Sequence, residues 1–413
     1  MRNIGKLAVF ALVVLLLLCV GVSTDVMADE NEDIVIVIDP GHGGSQNGAD
    51  YNGRLEKDIT LKVSRLMAEE LRKYDGVKVY LTRTKDQTMS IQKRAEYADK
   101  VGADYFFCIH FNASGNHNFY GAEAWVTSYG RYYSEMYAFA EIVLSEFEKI
   151  GVYNRGIKTK LDSDGTDYYG VLRRGAEFDI PAVIIEHCHM DNPVDEKFLD
   201  DEDDYIRFAK IDAECVAKFL RLSSKELGVD YSDYEYELVD EPEEKIKNDE
   251  TPPELKVYVE TFDEQNGKVT FGIEAYDNEY PILYYGLSYD GGETFEPLQT
   301  WTSGNDAFLL TMDYEELENK KFSVIVYNAY NVFKTSGVID WKGEIDKIKE
   351  QKAIEESIEM ADREKYADVA PVIMEPQSGG EIYLVIAIVS LLAVISIVIY
   401  CVFDYKNKRD NET

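Results

Sequence analysis

The strongest constraint on this chain is an alternation of strand-like and helix-like segments between residues 34 and 222. The run IVIVID, which begins at Ile34, is continuously apolar and β-branched, as expected for a strand that is buried on both faces. It is followed by ITLKVSRLMAEELRKY, residues 59–74, in which apolar side chains recur with the period of a helix. Three further strand–helix pairs follow. This rhythm predicts an α/β domain with a mostly parallel sheet and helices on both faces.

The same periods predict where the later elements lie. Strands are predicted at VKVYLTR, ADYFFCIHFNAS and PAVIIEHC, and helices at SIQKRAEYADKVG, SEMYAFAEIVLSEFEKIG and IRFAKIDAECVAKFLRL. Ser90 is expected to cap the start of the second helix and Gly102 its end, because a serine side chain accepts from early helical N–H groups and glycine adopts the left-handed backbone of a helix terminus.

The sequence changes character after Leu222. Residues 223–252 are acidic and contain proline without an apolar period, which predicts a linker. Residues 253–342 contain short runs of period two separated by turn signals such as Asn266-Gly267, which predicts a small all-β immunoglobulin-like sandwich. Residues 343–380 are rich in charge and are predicted to form a helical stalk.

Both ends of the chain are predicted to lie outside the folded part. Residues 1–28 carry two cations, an apolar run and small residues ending at Ala28, which is typical of a secretory signal peptide; an uncleaved anchor is the alternative. Residues 381–403 form an uncharged apolar run, which predicts a single C-terminal transmembrane helix, and 404–413 would be a cytoplasmic tail. The expected localisation is the cell membrane, single-pass, with the folded part extracellular and facing the cell wall.

The charge and the cysteines exclude several classes of protein. The formal net charge of −35 argues against nucleic acid or anionic lipid as a partner and favours a polymer that bears few charges or presents cations. Outside the two predicted terminal segments there are three cysteines, Cys108, Cys188 and Cys215. An odd count argues against a disulfide-built scaffold and favours buried thiols, with a bridge between Cys108 and Cys188 as the alternative.

All five histidines fall inside the α/β domain, at positions 42, 110, 117, 187 and 189. His42 follows the first predicted strand in IVIDPGHGG, His110 stands near the end of the third in CIHFNAS, and Glu186 near the end of the fourth in IIEHCHMDN. Glu56 opens the first helix in LEKDITL. Because ligands collect at the carboxyl ends of parallel strands, this pattern favours a site with two histidines and one carboxylate, the ligand set of catalytic zinc.

The α/β domain also resembles the zinc-dependent N-acetylmuramoyl-L-alanine amidases, which are peptidoglycan hydrolases. The resemblance rests on IVIDPGHGG, LEKDITL, VYLTRTKDQTMSIQKRAEYADKVGADYFFCIHFNAS, YGAEAW, RGIK, YGVLRR and IPAVIIEHCHMDN, in this order over residues 34–222. It implies that residues 29–222 are the catalytic domain, that His42, Glu56 and His110 bind Zn²⁺, and that Glu186 is the catalytic general base.

The substrate implied by the resemblance is the amide between the lactyl group of N-acetylmuramic acid and L-alanine of the stem peptide, cleaved by zinc-activated water. Two other functions stay open: a catalytically silent protein that binds the wall or regulates partners, and a zinc peptidase acting on the stem peptide. The expected partners are peptidoglycan and, through the transmembrane helix, the membrane. The β-sandwich is the candidate contact for a protein or wall partner.

The stretch IIEHCHMDN contains a carboxylate between apolar residues and two histidines. If the strand alternates regularly, Glu186 and Cys188 share one face while His187 and His189 share the other. The resemblance puts the metal on other residues, so His187 and His189 are expected to form hydrogen bonds nearby or to line the floor of the cleft, with direct metal binding as the alternative.

Overall fold

The computed structural model describes residues 33–301 and 306–367. The described part falls into two units, which divide between Trp341 and Lys342. The α/β part of the first unit contains, in chain order, β1 (Ile34–Pro40), β2 (Asp50–Tyr51), β3 (Arg54–Leu55), α1 (Glu56–Leu71), β4 (Val77–Leu81), α2 (Ile91–Val101), β5 (Tyr105–Asn112), β6 (Ala122–Val126), α3 (Gly130–Lys149), β7 (Asn154–Lys158), α4 (Gly170–Glu177), β8 (Ala182–His189), α5 (Pro193–Glu196) and α6 (Glu202–Phe219).

Six of these strands form one sheet in the order β4-β1-β5-β8-β6-β7. All neighbouring strands in it are parallel except β6 and β8, which are antiparallel. The central strands β1, β5 and β8 are almost wholly buried, in agreement with their continuous apolar sequence. The predicted mixed α/β domain is therefore confirmed, and the carboxyl ends of three adjacent strands meet at one edge of its sheet.

Local sequence explains where the helices begin and end. The Ser90 side chain accepts from the Lys93 N–H at the start of α2, and Gly102 ends that helix with a φ of 68°, as expected from the sequence. Helix α6 begins with a capping box, in which Asp201 and Asp204 satisfy each other's backbone N–H groups.

The second part of the first unit is all-β apart from one helical turn. It contains β11 (Glu254–Asp263), β12 (Lys268–Tyr276), β13 (Ile282–Ser288), β14 (Gln299–Thr300), β15 (Ala307–Asp313), α7 (Tyr314–Leu317), β16 (Ser323–Asn328) and β17 (Phe333–Thr335). Two short strands that precede it, β9 (Ser223–Ser224) and β10 (Val229–Asp230), pair with each other in the segment predicted as a linker. Strands β11-β12-β15 form one antiparallel sheet and β14-β13-β16-β17 another. Aromatic side chains such as Phe271 and Phe322, with ring centroids 4.7 Å apart, pack between them. We call this pair of sheets the β-module.

The acidic segment between the two parts is bonded to both of them. The Ile246 N–H donates to the Ser128 carbonyl at 2.9 Å, and the Thr159 hydroxyl donates to the Ile246 carbonyl at 2.9 Å. Farther along, the Asn328 amide of the β-module donates to the Asp249 carboxylate at 2.6 Å. The segment predicted as a linker thus follows the surface of the α/β part.

The second unit is described only in its first part, by α8 (Trp341–Ala367). This helix is rich in charge, as expected for the segment that was predicted to be a stalk. Its exposed residues include Lys349, Glu355 and Glu359.

The expected fold class and localisation need one correction. Among residues 33–301 and 306–367, no helix is both long enough and apolar enough to cross a membrane. The longest of them, α8, carries charged side chains throughout, which are costly to bury in hydrocarbon. The predicted span, 381–403, lies outside the described residues, as does the predicted signal peptide, 1–28. The transmembrane helix, the membrane as a partner and the single-pass localisation are therefore withdrawn, while the signal peptide stays a prediction.

Candidate metal and catalytic site

The structure brings His42, Glu56 and His110 together at the carboxyl edge of the sheet. One ligand atom from each residue lies within 4.8 Å of the others. His42 Nε2 is 3.0 Å from Glu56 Oε2, and His110 Nδ1 is 2.8 Å from Glu56 Oε1. The three side chains are mostly buried, with 30%, 6% and 20% of their surface exposed for His42, Glu56 and His110 respectively.

The carboxylate of Glu56 is oriented by the backbone as well as by the histidines. Its Oε2 accepts from the Ala49 N–H at 2.9 Å, and its Oε1 accepts from the Phe111 N–H at 3.3 Å. Burial opposes ionisation of this carboxyl, but hydrogen bonds and charge from His110 and His42 outweigh burial and hold its pKa well below the usual range. Glu56 is therefore ionised at neutral pH, as a metal ligand must be.

Two glycines make room for these ligands. A Cβ atom at Gly41 would lie 2.5 Å from the His110 ring, and one at Gly48 would lie 2.3 Å from Glu56 Oε2. His42 itself has a φ of 59°, a left-handed backbone that a residue other than glycine seldom adopts and that is common at functional sites. The loop after β1 is thus shaped around the three side chains, and the His₂Glu donor set fits zinc with a position left for water or substrate.

Two buried arginines donate hydrogen bonds to the backbone carbonyls of this loop. Arg94 of α2 donates to the Pro40 carbonyl at 2.8 Å and also to the His42 carbonyl, while its Nη1 pairs with Asp39 Oδ1 at 2.6 Å. Arg83 donates to the Pro40 and Gly41 carbonyls at 3.0 and 2.8 Å. These contacts fix the backbone that carries His42. Neither arginine was expected from the sequence, although Arg94 lies on the buried face of α2 beside Ala95 and Ala98.

Glu186 lies on β8 opposite His110 of β5. It lines a cavity of about 470 Å³ together with His42, His110, Tyr169 and other side chains. Its Oε2 is shielded from solvent and has no hydrogen-bond partner among the described residues. Burial, followed by the charges of Glu56 and Glu123, raises the pKa of Glu186 well above its usual range. A buried carboxyl of high proton affinity beside a candidate metal site is typical of a general base or acid.

A bulge in β8 changes the expected alternation beyond Glu186. The register shifts between His110 and Asn112, so that Asn112 lies opposite His189 and not Cys188. Since parallel neighbours in register share a face, His189 lies on the face of Glu186, and the prediction that His187 and His189 share a face is wrong. Cys108 and Cys188 belong to different core clusters, and all three described cysteines are free and buried.

Neither histidine of the stretch belongs to the ligand group. His187 is wholly buried, and its ring nitrogens face the His110 carbonyl at 2.9 Å and Asp212 Oδ2 at 2.8 Å. His189 Nδ1 donates to the Gly121 carbonyl at 3.0 Å. Burial, with a smaller effect of Arg155, lowers the pKa of His189 to about 3, so this residue is neutral at physiological pH.

The comparisons with known proteins match the α/β part of the chain. The Amidase_3 family model, described as N-acetylmuramoyl-L-alanine amidase, matches residues 36–218. The domain over residues 36–218 belongs to this family. The matched range contains the candidate ligands His42, Glu56 and His110 and also Glu186.

Two curated members of the amidase family illustrate the similarity. The chain is 36% identical over 173 residues to the N-acetylmuramoyl-L-alanine amidase CwlM of Bacillus licheniformis, which covers 40% of this chain and 60% of that protein. It is 32% identical over 188 residues to the probable cell wall amidase LytH of Staphylococcus aureus, with 43% of this chain and 57% of that protein covered. The chain thus spans less than two thirds of the length of these relatives.

A solved structure of the family covers the same part. The catalytic domain of CwlV, an N-acetylmuramoyl-L-alanine amidase from Bacillus (Paenibacillus) polymyxa var. colistinus, is 30% identical with a TM-score of 0.39. The match covers 45% of this chain and 98% of that domain.

Proposed function

We propose that this amidase-family chain hydrolyses peptidoglycan at the amide between the lactyl group of N-acetylmuramic acid and L-alanine of the stem peptide. The observation that carries the proposal is one cavity lined by His42, His110 and Glu186, with Glu56 joining the two histidines behind them. Family membership supports the same reaction, since the curated relatives are named as amidases of this bond or of the cell wall.

The metal in this proposal is zinc, held by His42, Glu56 and His110. A zinc ion there would supply Lewis-acid chemistry, polarising the substrate carbonyl and lowering the pKa of water. The donor atoms already converge, and Glu56 carries the negative charge that a divalent cation needs nearby. The two glycines at positions 41 and 48 leave the space that the imidazole and carboxylate groups occupy.

Glu186 is proposed as the general base. The Glu186 carboxylate lines the cavity, so it can accept a proton from the attacking water and return that proton to the leaving amine of L-alanine. Its high proton affinity suits the first transfer, and a divalent cation in the neighbouring ligand group would favour the carboxylate form before the reaction begins. Such a base contributes roughly 10²–10⁴ in rate.

Mass spectrometry of the products tests the reaction directly. Purified peptidoglycan is incubated with the protein and then digested with a muramidase. An amidase releases stem peptides that begin with a free L-alanine amine and leaves glycan fragments with a free lactyl carboxylate. Cleavage within the stem peptide would instead identify a zinc peptidase, and the absence of any cleavage by zinc-loaded protein would identify a silent binding protein. Either result overturns the proposal.

A further inference from the structure

A buried carboxylate stands directly beside Glu186 and is not one of the candidate ligands. Glu123 of β6 is the register partner of Glu186 in the antiparallel pair β6–β8. Residues directly opposite each other in such a pair have Cβ atoms about 5 Å apart and point to the same face. Only 4% of Glu123 is exposed. The orientation of Glu123 and its charge therefore act directly on the environment of Glu186.

Four side-chain donors hold Glu123 in place. Arg155 Nε and Lys158 Nζ each lie 2.7 Å from its Oε2, while Asn112 Nδ2 and Trp125 Nε1 lie 3.0 and 3.2 Å from its Oε1. Arg155 and Lys158 are both at least 98% buried. Two buried cations thus hold the Glu123 carboxylate in place beside Glu186.

Two further N–H groups of Arg155 donate to residues of the β-module. Arg155 Nη1 donates to Tyr284 Oη at 3.1 Å, and Nη2 donates to Asn331 Oδ1 at 2.9 Å. The Tyr284 hydroxyl in turn donates to the Tyr120 carbonyl. The Lys158 ammonium lies 5.7 Å from the ring centroid of Tyr330, so the β-module covers the second cation as well.

A buried arginine that loses its acceptors must find others, because an unsatisfied charged N–H group in the interior is costly. Without Tyr284 and Asn331, the guanidinium of Arg155 would have to turn toward other acceptors, and its bond to Glu123 would loosen. A loosened Glu123 would change the position and the charge balance of the carboxylate beside it.

We propose that the β-module completes the catalytic site, with Tyr284 and Asn331 as positioning residues that act on Glu186 through Arg155 and Glu123. The β-module thus helps to hold the residues around Glu186 in position, in addition to any contact it makes with peptidoglycan. This inference rests on the proposed function in that Glu186 is taken as the general base. Tyr284 and Asn331 do not line the cavity, so the expected effect is on kcat and not on KM.

The experiment uses the full chain and two matched pairs of variants. Tyr284→Phe removes the hydroxyl that accepts from Arg155. Tyr153→Phe removes a partly buried hydroxyl of the same interface, which donates to the Leu283 carbonyl at 3.0 Å and is not an acceptor of Arg155. Asn331→Gly removes the second acceptor at a residue whose φ of 64° suits glycine. Asn331→Asp keeps an acceptor oxygen and should restore the bond.

Hydrolysis of soluble peptidoglycan fragments is measured with zinc-loaded protein, together with the thermal midpoint of each variant. We expect Tyr284→Phe and Asn331→Gly to lower kcat by about 10-fold to 10²-fold with little change in KM, as is typical of misplaced catalytic groups. Tyr153→Phe and Asn331→Asp should stay within about twofold of the wild type. Equal losses in Tyr284→Phe and Tyr153→Phe, or no loss in Tyr284→Phe and Asn331→Gly, would overturn the inference.

Amide hydrogen exchange of β6 and β8 measures the coupling between the β-module and the strands that carry Glu123 and Glu186, and it does not depend on hydrolysis. Asn331→Gly and Tyr284→Phe should speed exchange in Ala122–Val126 and Ala182–His189, whereas Tyr153→Phe should not. If the wild type cleaves nothing but the variants show these differences in exchange, the proposed function is refuted and the coupling is retained. If the wild type is active and neither exchange nor kcat changes in Tyr284→Phe and Asn331→Gly, only the coupling is refuted.

Discussion

The backbone at Gly41 lies directly against the imidazole of His110. A Cβ atom at Gly41 would be only 2.5 Å from Cε1 and Nε2 of that ring. Because His110 is also held by Glu56, its ring cannot turn away without leaving the ligand group. The glycine in the PGHGG turn is therefore needed for the geometry of the site as well as for the turn.

Gly41→Ala is expected to weaken zinc binding by about 10- to 100-fold, the usual cost of disturbing how a ligand is held. Zinc affinity measured by competition with a chromophoric chelator checks this. Gly115→Ala is the matched control, because a Cβ atom at Gly115 would meet no other atom within 4 Å. Unchanged affinity in Gly41→Ala would show that the His110 ring has room to move.

Glu56→Gln should lower the zinc content of the purified protein without unfolding it. The amide removes the charge and keeps one oxygen, which can accept from either the Ala49 or the Phe111 N–H group but not from both. Metal analysis by mass spectrometry is expected to give about one zinc per chain for wild type and well below half of that for the variant. Glu69→Gln, an exposed position on the same helix, should retain full zinc, and full zinc in Glu56→Gln would remove Glu56 from the ligand set.

His189 makes the stability of the fold depend on pH. Its folded-state pKa of about 3 lies below the ordinary histidine value of 6.5, so the unfolded chain binds more protons than the folded chain between these values. Its contribution is therefore complete above pH 6.5 and is lost as the pH falls toward 3, at up to about 1.4 kcal/mol per pH unit.

His189→Asn keeps a donor for the Gly121 carbonyl and removes the titrating group. Urea unfolding of both proteins in the presence of a chelator is compared at pH 7.5 and pH 5. The free energy of unfolding should fall by roughly 1–2 kcal/mol more in wild type than in the variant. Parallel pH dependence of the two proteins would contradict a buried neutral His189.

The three described cysteines should behave as protected thiols. Cys108, Cys188 and Cys215 are free and buried, and burial raises the pKa of each thiol well above its usual range. Alkylation followed by peptide mapping without reductant should label them only after unfolding. A peptide pair cross-linked through Cys108 and Cys188 would contradict the separation of these residues into different core clusters.

Local sequence predicted the strands and helices in which burial follows a regular period along the chain. Strand β12, Lys268–Tyr276, falls in the region where short runs of period two were predicted, and most of its side chains alternate between the core and the surface. Helix α1 begins at Glu56, earlier than its apolar period, since its first turn is fixed by the loop that carries His42. His42, Glu56 and His110 were likewise expected from strand ends and from the family resemblance.

The support around the site could not be predicted in the same way. Strand β7 reads NRGIK, and its Arg155 and Lys158 look like surface residues until the β-module covers them. The bulge that moves His189 onto the face of Glu186 has no local signal in IIEHCHMDN, because it arises from pairing with Asn112. Contacts between distant segments decide both features, and periodicity carries no information about them.

The most direct test of the whole account compares wild type with Glu186→Gln. Both proteins are loaded with zinc, their metal content is measured, and the rate at which glycan fragments with a free lactyl carboxylate appear is followed by mass spectrometry. Glu148→Gln, an exposed position on α3, serves as control and should match wild type. We predict equal zinc and a rate lower by roughly 10²–10⁴ in Glu186→Gln. Full activity in Glu186→Gln would contradict the account.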